Sequence, residues 1–191
     1  MTEIEKYIKA AKASIALLDC EMIEIASDLC VESILSGGTI FFCGNGGSAV
    51  DAQHLAGELI GRFRLDRDAI PAIAITANAA IVTSIANDYD FSEIFARQLQ
   101  ALGKPGDVLI AISTSGHSRN VIKAVEEARR KSMRIVGFTG SDGGAIARMV
   151  DVAVKAISTE TSHIQEELLI AGHAICSAVE RACADYIRSR R

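Results

Sequence analysis

The sequence predicts a single α/β domain whose parallel β-sheet is covered by helices on both faces. Its 191 residues are the length of one domain, and 49% are hydrophobic while 23% are charged, which excludes disordered and low-complexity classes. Five short β-rich runs alternate with helical stretches. Strands that are separated in this way by helices are typical of a parallel sheet buried on both sides.

The elements follow from hydrophobic periodicity. Residues 3–36 carry apolar side chains at helical spacing and end at two glycines, which predicts two N-terminal helices. The predicted strands are Thr39–Cys43, Ala72–Thr76, Val108–Ile112, Arg134–Phe138 and Val150–Val154. The predicted helices between and after them are Ala49–Arg62, Ala79–Ala86, Phe91–Leu102, Asn120–Lys131, a short one near Ala145, and a long last one over Glu160–Ser189.

Charge and cysteine usage narrow the class of protein. The net charge of −4 is spread without blocks, so nucleic acid is not an expected partner. Five cysteines without a C-x-x-C pair indicate reduced thiols in a cytoplasmic protein, and the N-terminus lacks the pattern of a signal peptide. The uncharged run 69–87 contains Pro71, Thr76 and Asn78, and a buried strand followed by a helix explains it better than a membrane span.

A glycine-rich loop, residues 44–48, follows the first predicted strand and enters a helix. Glycines there allow a ligand to approach the backbone, and the helix N-terminus offers free N–H groups to an anion. Three interpretations stay open: a structural tight turn, a loop that faces another ligand, or a dinucleotide loop of the G-x-G-x-x-A type. In the last case Asp66 or Asp68 would bind the ribose.

A second loop combines four hydroxyl side chains within six residues after the third strand. Ser113, Thr114, Ser115 and Ser118 precede a helix, and together with backbone N–H groups they form a neutral phosphate cradle. A helix cap needs only one hydroxyl, and the sequence has no Walker motif. We therefore expect this hydroxyl loop to bind a phosphate.

Candidate metal ligands or acid–base groups lie on two helices. His54 and Glu58 share one helix face at i,i+4 spacing, which suits a metal, an acid–base pair, or a surface His beside a solvated Glu. His173 lies in the last helix, where a hydrogen-bonded core histidine is the common alternative. Gln165 is eight residues away, about 12 Å along the helix at roughly 1.5 Å per residue. The two side chains would therefore reach one metal only from opposite sides.

Three further polar positions have weaker assignments. His117 lies inside the hydroxyl loop and either contacts phosphate or has no fixed role, and His163 is left unassigned. Asn87 and Asp88 follow a long apolar stretch, where they mark either a turn or a contact to a sugar hydroxyl.

Taken together, these motifs resemble the sugar isomerase (SIS) family, in the family's order and over essentially the whole chain. The resemblance implies one flavodoxin-like domain over residues 1–191, in which residues 1–36 pack between subunits and residues 37–191 form the α/β core and C-terminal helix. It also implies a homotetramer with active sites between subunits. The implied reaction interconverts sedoheptulose 7-phosphate and D-glycero-D-manno-heptose 7-phosphate, and it opens heptose synthesis for lipopolysaccharide and other bacterial surface glycans.

The resemblance also implies roles for individual residues. Glu58 and His173 would be the catalytic acid–base pair, and zinc would be bound by His54, Glu58, Gln165 and His173. The substrate would contact Asn45, Gly46, Gly47, Ser48, Glu58, Asn87, Asp88, Ser113, Thr114, Ser115, Ser118 and Gln165. A ketose-to-aldose shift needs one base to carry a proton from C1 to C2 and a second group for the hydroxyl protons. The metal would either polarise the carbonyl or only organise the site.

Three alternatives from other classes remain beside this interpretation. The SIS family includes a replication-initiator-associating protein that acts by protein contact, but the intact Glu58 and His173 pair favours an enzyme. An isomerase or sensor of another phosphosugar would have the same loops. A dinucleotide-dependent dehydrogenase is disfavoured by the single short domain and by the second phosphate loop.

Overall fold

Five parallel strands form the centre of the molecule. The computed structural model describes the backbone of residues 1–189 and the side chains of residues 1–185; residues 190 and 191 of the predicted domain lie outside the described residues. The strands are β1 (Ile40–Cys43), β2 (Ala72–Ala74), β3 (Val108–Ser113), β4 (Arg134–Thr139) and β5 (Val152–Lys155). Each pairs with its neighbours in parallel. The predicted parallel sheet is confirmed.

The strand order is β2-β1-β3-β4-β5, which is the flavodoxin-like order. Strand β2 lies on one side of β1, whereas β3, β4 and β5 follow one another on the other side. The direction in which strands are added therefore reverses between β1 and β3. In such sheets ligands bind outside the carboxyl ends of the strands at this switch point. The glycine-rich loop after β1 and the hydroxyl loop after β3 both begin there, because Cys43 of β1 pairs with Ala111 of β3.

Seven α-helices surround the sheet in the described chain. They are α1 (Glu3–Ile15), α2 (Cys20–Leu35), α3 (Gly47–Ile60), α4 (Ala79–Asp88), α5 (Ala96–Leu102), α6 (Arg119–Arg130) and α7 (Thr161–Ser189). The side chains of Thr2, Asp19 and Asn78 accept backbone N–H groups at the starts of α1, α2 and α4. These caps satisfy donors that a helix leaves free at its N-terminus, and so fix where the three helices begin.

The core has two parts because successive strand residues point to opposite faces. In β1, Ile40 and Phe42 pack into the cluster formed with α2, α3 and α7. Phe41 and Cys43 pack into the cluster formed with α5 and α6. Both faces of the strand are therefore buried, which explains why its sequence is apolar throughout rather than alternating.

Several element boundaries differ from the prediction, for local reasons. Helix α3 begins at Gly47 instead of Ala49, because the glycine-rich loop winds into its first turn and Ala49 N–H donates to the Gly46 carbonyl. The predicted helix Phe91–Leu102 is divided. The Asp90 carboxylate accepts the Ser92 N–H and starts a 3-10 turn over Phe91–Glu93, and α5 begins only at Ala96.

Helices α3 and α7 run side by side in the same direction, and a glycine sets their separation. A Cβ placed on Gly172 of α7 would lie 2.5 Å from Cδ1 of Leu55 on α3, well inside van der Waals contact. Leu55 is itself 1% exposed. Any larger residue at position 172 would push the helices apart, so this close approach fixes the position of everything that α7 presents toward α3.

The cysteines and the uncharged run 69–87 have simple structural roles. All five cysteines are free thiols, and burial raises the pKa of Cys43 and Cys176 to about 12, so these thiols stay protonated. The run 69–87 forms β2 and α4. None of the helices in the described part of the chain combines the length and the hydropathy that a membrane span requires.

A buried carboxylate at the opposite edge of the sheet provides a stability test. Asp107 is completely buried, and its two oxygens accept the backbone N–H groups of Thr39 and Lys104 at 2.8 and 2.9 Å. In Asp107→Asn one carboxylate oxygen is replaced by an amide nitrogen that cannot accept, so one of these two part-buried N–H groups loses its partner. We expect a loss of about 2 kcal/mol in the free energy of unfolding, measured by urea denaturation.

The matched control is Asp142→Asn, which changes an exposed aspartate in a loop. It should leave the urea midpoint within experimental error. Equal stability of Asp107→Asn and wild type would contradict the structural role assigned to Asp107.

Candidate active site

Three candidate ligands meet between α3 and α7. His54 Nε2 lies 2.9 Å from His173 Nε2 and 3.5 Å from Glu58 Oε1. One ligand atom from each of the three residues lies within 4.8 Å of the others. His54 and Glu58 share a helix face as their spacing indicates, and the Gly172–Leu55 packing brings His173 against them. The fold therefore brings His173 next to His54 and Glu58, although Glu58 and His173 are 115 positions apart in the sequence.

The environment favours a neutral His173. Partial burial lowers the pKa of His173, and the nearby His54 lowers it further, while Glu58 and Asp51 act in the opposite direction. The neutral imidazole is the form that binds a metal or accepts a proton. His54 has a side chain that is 46% exposed, so the cluster opens to solvent on that side.

Gln165 reaches the same region from the start of α7. Its amide occupies the space where a Cβ of Gly47 would lie, with Nε2 only 2.0 Å from that position. It also hydrogen-bonds the Asp51 carboxylate, one turn before His54 on α3. Gln165 therefore contacts the glycine-rich loop and the residue of α3 that lies one turn before His54.

Asp51 is a site residue that the sequence reasoning missed. Burial raises the pKa of its carboxyl, while His54, the hydrogen bond from Gln165, and His173 lower it. Asp51, His54 and Glu58 lie on one face of α3 at i, i+3 and i+7. This spacing is the sequence feature that indicates Asp51. It does not identify Asp51 by itself, because charged residues are common in the first turns of helices.

The donor set fits a zinc ion. Zinc binds imidazole nitrogen and carboxylate oxygen at about 2.0–2.2 Å, so two of its ligand atoms are at most about 4.4 Å apart. The His54–His173 and His54–Glu58 separations of 2.9 and 3.5 Å lie within that limit. Two imidazoles and a carboxylate are also the ligand types of catalytic zinc sites.

A buried ion pair lies next to the cluster of His54, Glu58 and His173. Arg67 Nε lies 3.2 Å from Glu180 Oε1, and the two side chains are 3% and 2% exposed. Glu180, on α7, also accepts the N–H groups of Phe63 and Arg64, and Arg67 donates to the Glu58 carbonyl. The segment after α3 is thereby fixed to α7, next to the end of the helix that carries Glu58.

Phe63 lies in this segment and contacts His173. Its ring stacks on the His173 imidazole, with centroids 5.6 Å apart and planes inclined by 20°. Aromatic stacking of this kind restrains the orientation of an imidazole ring. Neither Phe63 nor the Arg67–Glu180 pair was identified from the sequence, because their relation to His173 exists only in the folded chain.

The hydroxyl loop is ordered by its own hydrogen bonds. Ser113 Oγ donates to Ser118 Oγ at 2.9 Å, and the Gly116 carbonyl accepts the N–H groups of Ala145 and Ile146. Ser118 is the N-cap residue of α6, but its side chain makes no capping bond. The Ser118 side chain therefore leaves first-turn N–H groups of α6 available to an anion beside the hydroxyls of the loop, except that of Val121, which donates to Asn120 Oδ1.

The glycine-rich loop lies between the hydroxyl loop and the histidine cluster. Asn45 exchanges two hydrogen bonds with Asn120 of α6, at 2.8 and 2.7 Å. At the other end of the loop, Gly47 contacts Gln165, and Ser48 is buried. Gly46, between them, has a positive φ of 54°.

The remaining candidates lie elsewhere. Asn87 donates to Asp88 at 2.9 Å at the end of α4, and within the described residues no hydrogen bond links this pair to either loop. His117 is exposed on the hydroxyl loop. His163 is buried and its ring lies 4.3 Å from that of Tyr7, so it joins α7 to α1.

The dinucleotide interpretation is not supported by the geometry. Its ribose-binding acid has to lie near the glycine-rich loop, at the carboxyl edge of the sheet. Asp66 and Asp68 precede β2 instead, at the amino edge of the sheet, which is the opposite edge. They are exposed in the segment that connects α3 to β2.

The chain is similar to proteins of a known family. Residues 5–140 match the SIS domain family. A phosphoheptose isomerase from Rhodospirillum rubrum is 47% identical over 174 residues, which cover 91% of this chain and 93% of that protein.

Two solved phosphoheptose isomerases have the same fold. The one from Neisseria gonorrhoeae is 37% identical with a TM-score of 0.85, covering 93% of this chain and 99% of that chain. The one from Francisella tularensis is also 37% identical, with a TM-score of 0.88 and coverage of 95% and 100%. On the family match, the identity and the shared fold together, this chain belongs to the SIS domain family.

Proposed function

We propose that this chain is an aldose–ketose isomerase that converts sedoheptulose 7-phosphate to D-glycero-D-manno-heptose 7-phosphate, in its α and β forms. The observation that carries the proposal is the convergence of Glu58 with His54 and His173 between two helices, because it places two proton-transfer groups together. The similarity to proteins named phosphoheptose isomerase over nine-tenths of the chain supports the choice of substrate.

The phosphate is assigned to the hydroxyl loop. Ser113, Thr114, Ser115 and Ser118 supply hydroxyl donors, and the start of α6 supplies backbone N–H groups. Asn45, Gly46, Gly47 and Ser48 extend from that loop toward Gln165, and so provide a surface for the sugar chain. A phosphosugar bound in this way has its phosphate at α6 and its reacting carbons toward α3 and α7.

Glu58 and His173 carry the protons. In the open-chain ketose, Glu58 removes a proton from C1 and returns it to C2. His173 moves a proton between the hydroxyl oxygens, so that the C2 carbonyl becomes a hydroxyl and the C1 hydroxyl becomes a carbonyl. The lowered pKa of His173 supports this role, since a neutral imidazole can accept the hydroxyl proton. Neither step requires a redox cofactor.

We further propose that the cluster binds one zinc ion per subunit through His54, Glu58, Gln165 and His173. The ligand types and the separations within the cluster support this assignment. A bound zinc ion would supply Lewis-acid polarisation of the substrate's carbonyl and hydroxyl oxygens. Asp51 then orients Gln165, because its carboxylate occupies the amide N–H and leaves the amide oxygen for the metal.

A homotetramer with active sites between subunits is also part of the proposal. The exposed apolar side chains of the N-terminal segment 1–36, among them Ile4, Ile8 and Leu17, support burial of that segment between subunits. Helix α4 carries no buried residue although it contains Ile81, Val82 and Ile85. An interface there would allow Asn87 and Asp88, at the end of α4, to contact a substrate in a neighbouring subunit's site.

The cellular role follows from the reaction. The product is the first aldoheptose phosphate on the route to ADP- and GDP-heptose, and hence to lipopolysaccharide and other surface glycans. We assign the chain to the cytoplasm, which the five free cysteines support. A purely protein-binding role is disfavoured because such a role has no need for the converging proton-transfer groups.

The first prediction concerns the proton-transfer pair. Glu58→Gln and His173→Ala should each lower kcat for sedoheptulose 7-phosphate by about 10³-fold or more, since each removes a group that moves a proton. The measurement is a discontinuous assay of aldoheptose phosphate, with bound zinc determined on the same samples. Glu126→Gln, an exposed change on α6, is the control and should match wild type. Turnover near the wild-type rate in Glu58→Gln would contradict the assignment.

Metal binding is testable without turnover. Isothermal titration of the chelated protein with zinc should give one site per chain, and His54→Ala should weaken that site by more than about 100-fold because it removes a ligand. His117→Ala changes an exposed histidine outside the cluster and should bind zinc as wild type does. Equal affinities in His54→Ala and wild type would exclude this metal site.

The assembly has its own test. Sedimentation equilibrium should give four times the 20.3 kDa chain mass for wild type. Ile8→Glu, on the exposed apolar face of α1, should yield smaller folded species, because a carboxylate is costly to bury at an interface. Lys9→Glu, at the neighbouring exposed position, should remain tetrameric. A folded wild-type monomer would contradict the proposed assembly.

A further inference from the structure

Asn120 connects the two loops of the proposed substrate site. It lies in the first turn of α6, directly after the hydroxyl loop, and is only 2% exposed. Its side-chain amide exchanges two hydrogen bonds with that of Asn45, although the two residues are 75 positions apart in the sequence. The pair crosses the gap between β1 and β3, where the strand order reverses.

A backbone group fixes the direction of this exchange. Asn120 Oδ1 accepts the N–H of Val121 at 3.0 Å, so the oxygen of the Asn120 amide has to lie on that side. Asn120 Nδ2 therefore donates to Asn45 Oδ1, and Asn45 Nδ2 donates to Asn120 Oδ1. The helix backbone thus determines which end of the Asn45 amide is the donor.

The Asn45 side chain retains hydrogen-bonding capacity for a ligand. Each Asn amide has two N–H donors and two oxygen lone pairs, and the exchange with Asn120 uses one of each. Asn45 and Asn120 also line one cavity of about 260 Å³, together with Ser118 of the hydroxyl loop. The remaining N–H and lone pair of Asn45 therefore belong to a residue that borders the proposed phosphate site.

We propose that Asn120 is a positioning residue for substrate binding. It fixes the orientation of the Asn45 amide, so that the free N–H and the free lone pair of Asn45 are already oriented to hydrogen-bond a hydroxyl group of the phosphosugar. This inference rests on the proposed function, in which Asn45 contacts substrate. The Asn120 amide is oriented by the Val121 N–H and acts on substrate through Asn45. Loss of Asn120 should weaken substrate binding while the proton-transfer groups stay in place.

The test is a double-mutant cycle on Asn45 and Asn120, with steady-state kinetics and calorimetric binding of sedoheptulose 7-phosphate. Asn120→Ala should raise KM and the dissociation constant about tenfold, with kcat within threefold of wild type, because the lost contact serves ground state and transition state alike. Asn45→Ala should have a similar tenfold effect alone, but less than a twofold effect in the Asn120→Ala background.

Asn120→Asp separates positioning from folding. The carboxylate keeps the shape of the side chain and the bond from Val121, and the helix N-terminus favours its negative charge. It cannot donate to Asn45 Oδ1, so two oxygens face each other and the Asn45 orientation is lost. We expect a cooperative melting transition together with a KM increase at least as large as that of Asn120→Ala, because the new charge also lies beside the proposed phosphate site.

The matched control is Gln98→Ala. Gln98 is also a buried amide, but it donates to the Ile75 and Ile94 carbonyls and contacts neither loop. Its removal should lower the melting temperature and leave KM unchanged. Zinc content should be the same in all variants, since none of these side chains is a proposed ligand.

Each outcome decides a defined point. If wild type is active and Asn120→Ala raises KM no more than Gln98→Ala does, or if the Asn45 and Asn120 effects are independent, this inference fails and the proposed function stands. If wild type neither binds nor isomerises sedoheptulose 7-phosphate, the proposed function fails and this inference fails with it.

Discussion

The close contact of α3 with α7 at Gly172 and Leu55 is the constraint on which the site depends. It allows two helices from distant parts of the chain to lie parallel at a separation that a side chain at position 172 would prevent. His173 then lies against His54 and Glu58, and Gln165 contacts Gly47. Further along α7, Glu180 forms an ion pair with Arg67. Contacts along α3 and α7, continued by Arg67 in the segment after α3, therefore form one continuous surface.

The glycine-rich loop joins this surface to the sheet. Its Asn45 hydrogen-bonds Asn120 of α6, and its Gly47 contacts Gln165 of α7, so one five-residue loop contacts both the helix that follows the hydroxyl loop and the start of α7. The strand order makes this possible, because β1 and β3 are neighbours whose following loops diverge from the same edge. A substrate that carries a phosphate at one end and reacts at the other matches this arrangement.

The sequence predicts the parallel sheet, the hydroxyl loop and the individual candidate residues, because each depends on local patterns. Periodicity identified the five strands, and the His54–Glu58 spacing identified a shared helix face. Local patterns contain no information on which distant residues meet. The Asn45–Asn120 exchange, the stacking of Phe63 on His173, and the bond from Gln165 to Asp51 therefore emerged only with the fold. The predicted start of α3 was wrong because the last residues of the glycine-rich loop, from Gly47 on, already belong to the helix.

The central claim is that Glu58 moves a proton between C1 and C2 of a ketose phosphate. The most direct test is proton NMR of sedoheptulose 7-phosphate with the zinc-loaded enzyme in D₂O, followed over many turnovers. Our account predicts aldoheptose phosphate as product and replacement of one C1 hydrogen of the ketose by deuterium, because the proton held by the carboxylate exchanges with solvent. Exchange of the C1 hydrogen in Glu58→Gln as fast as in wild type, or no product from wild type, would contradict it.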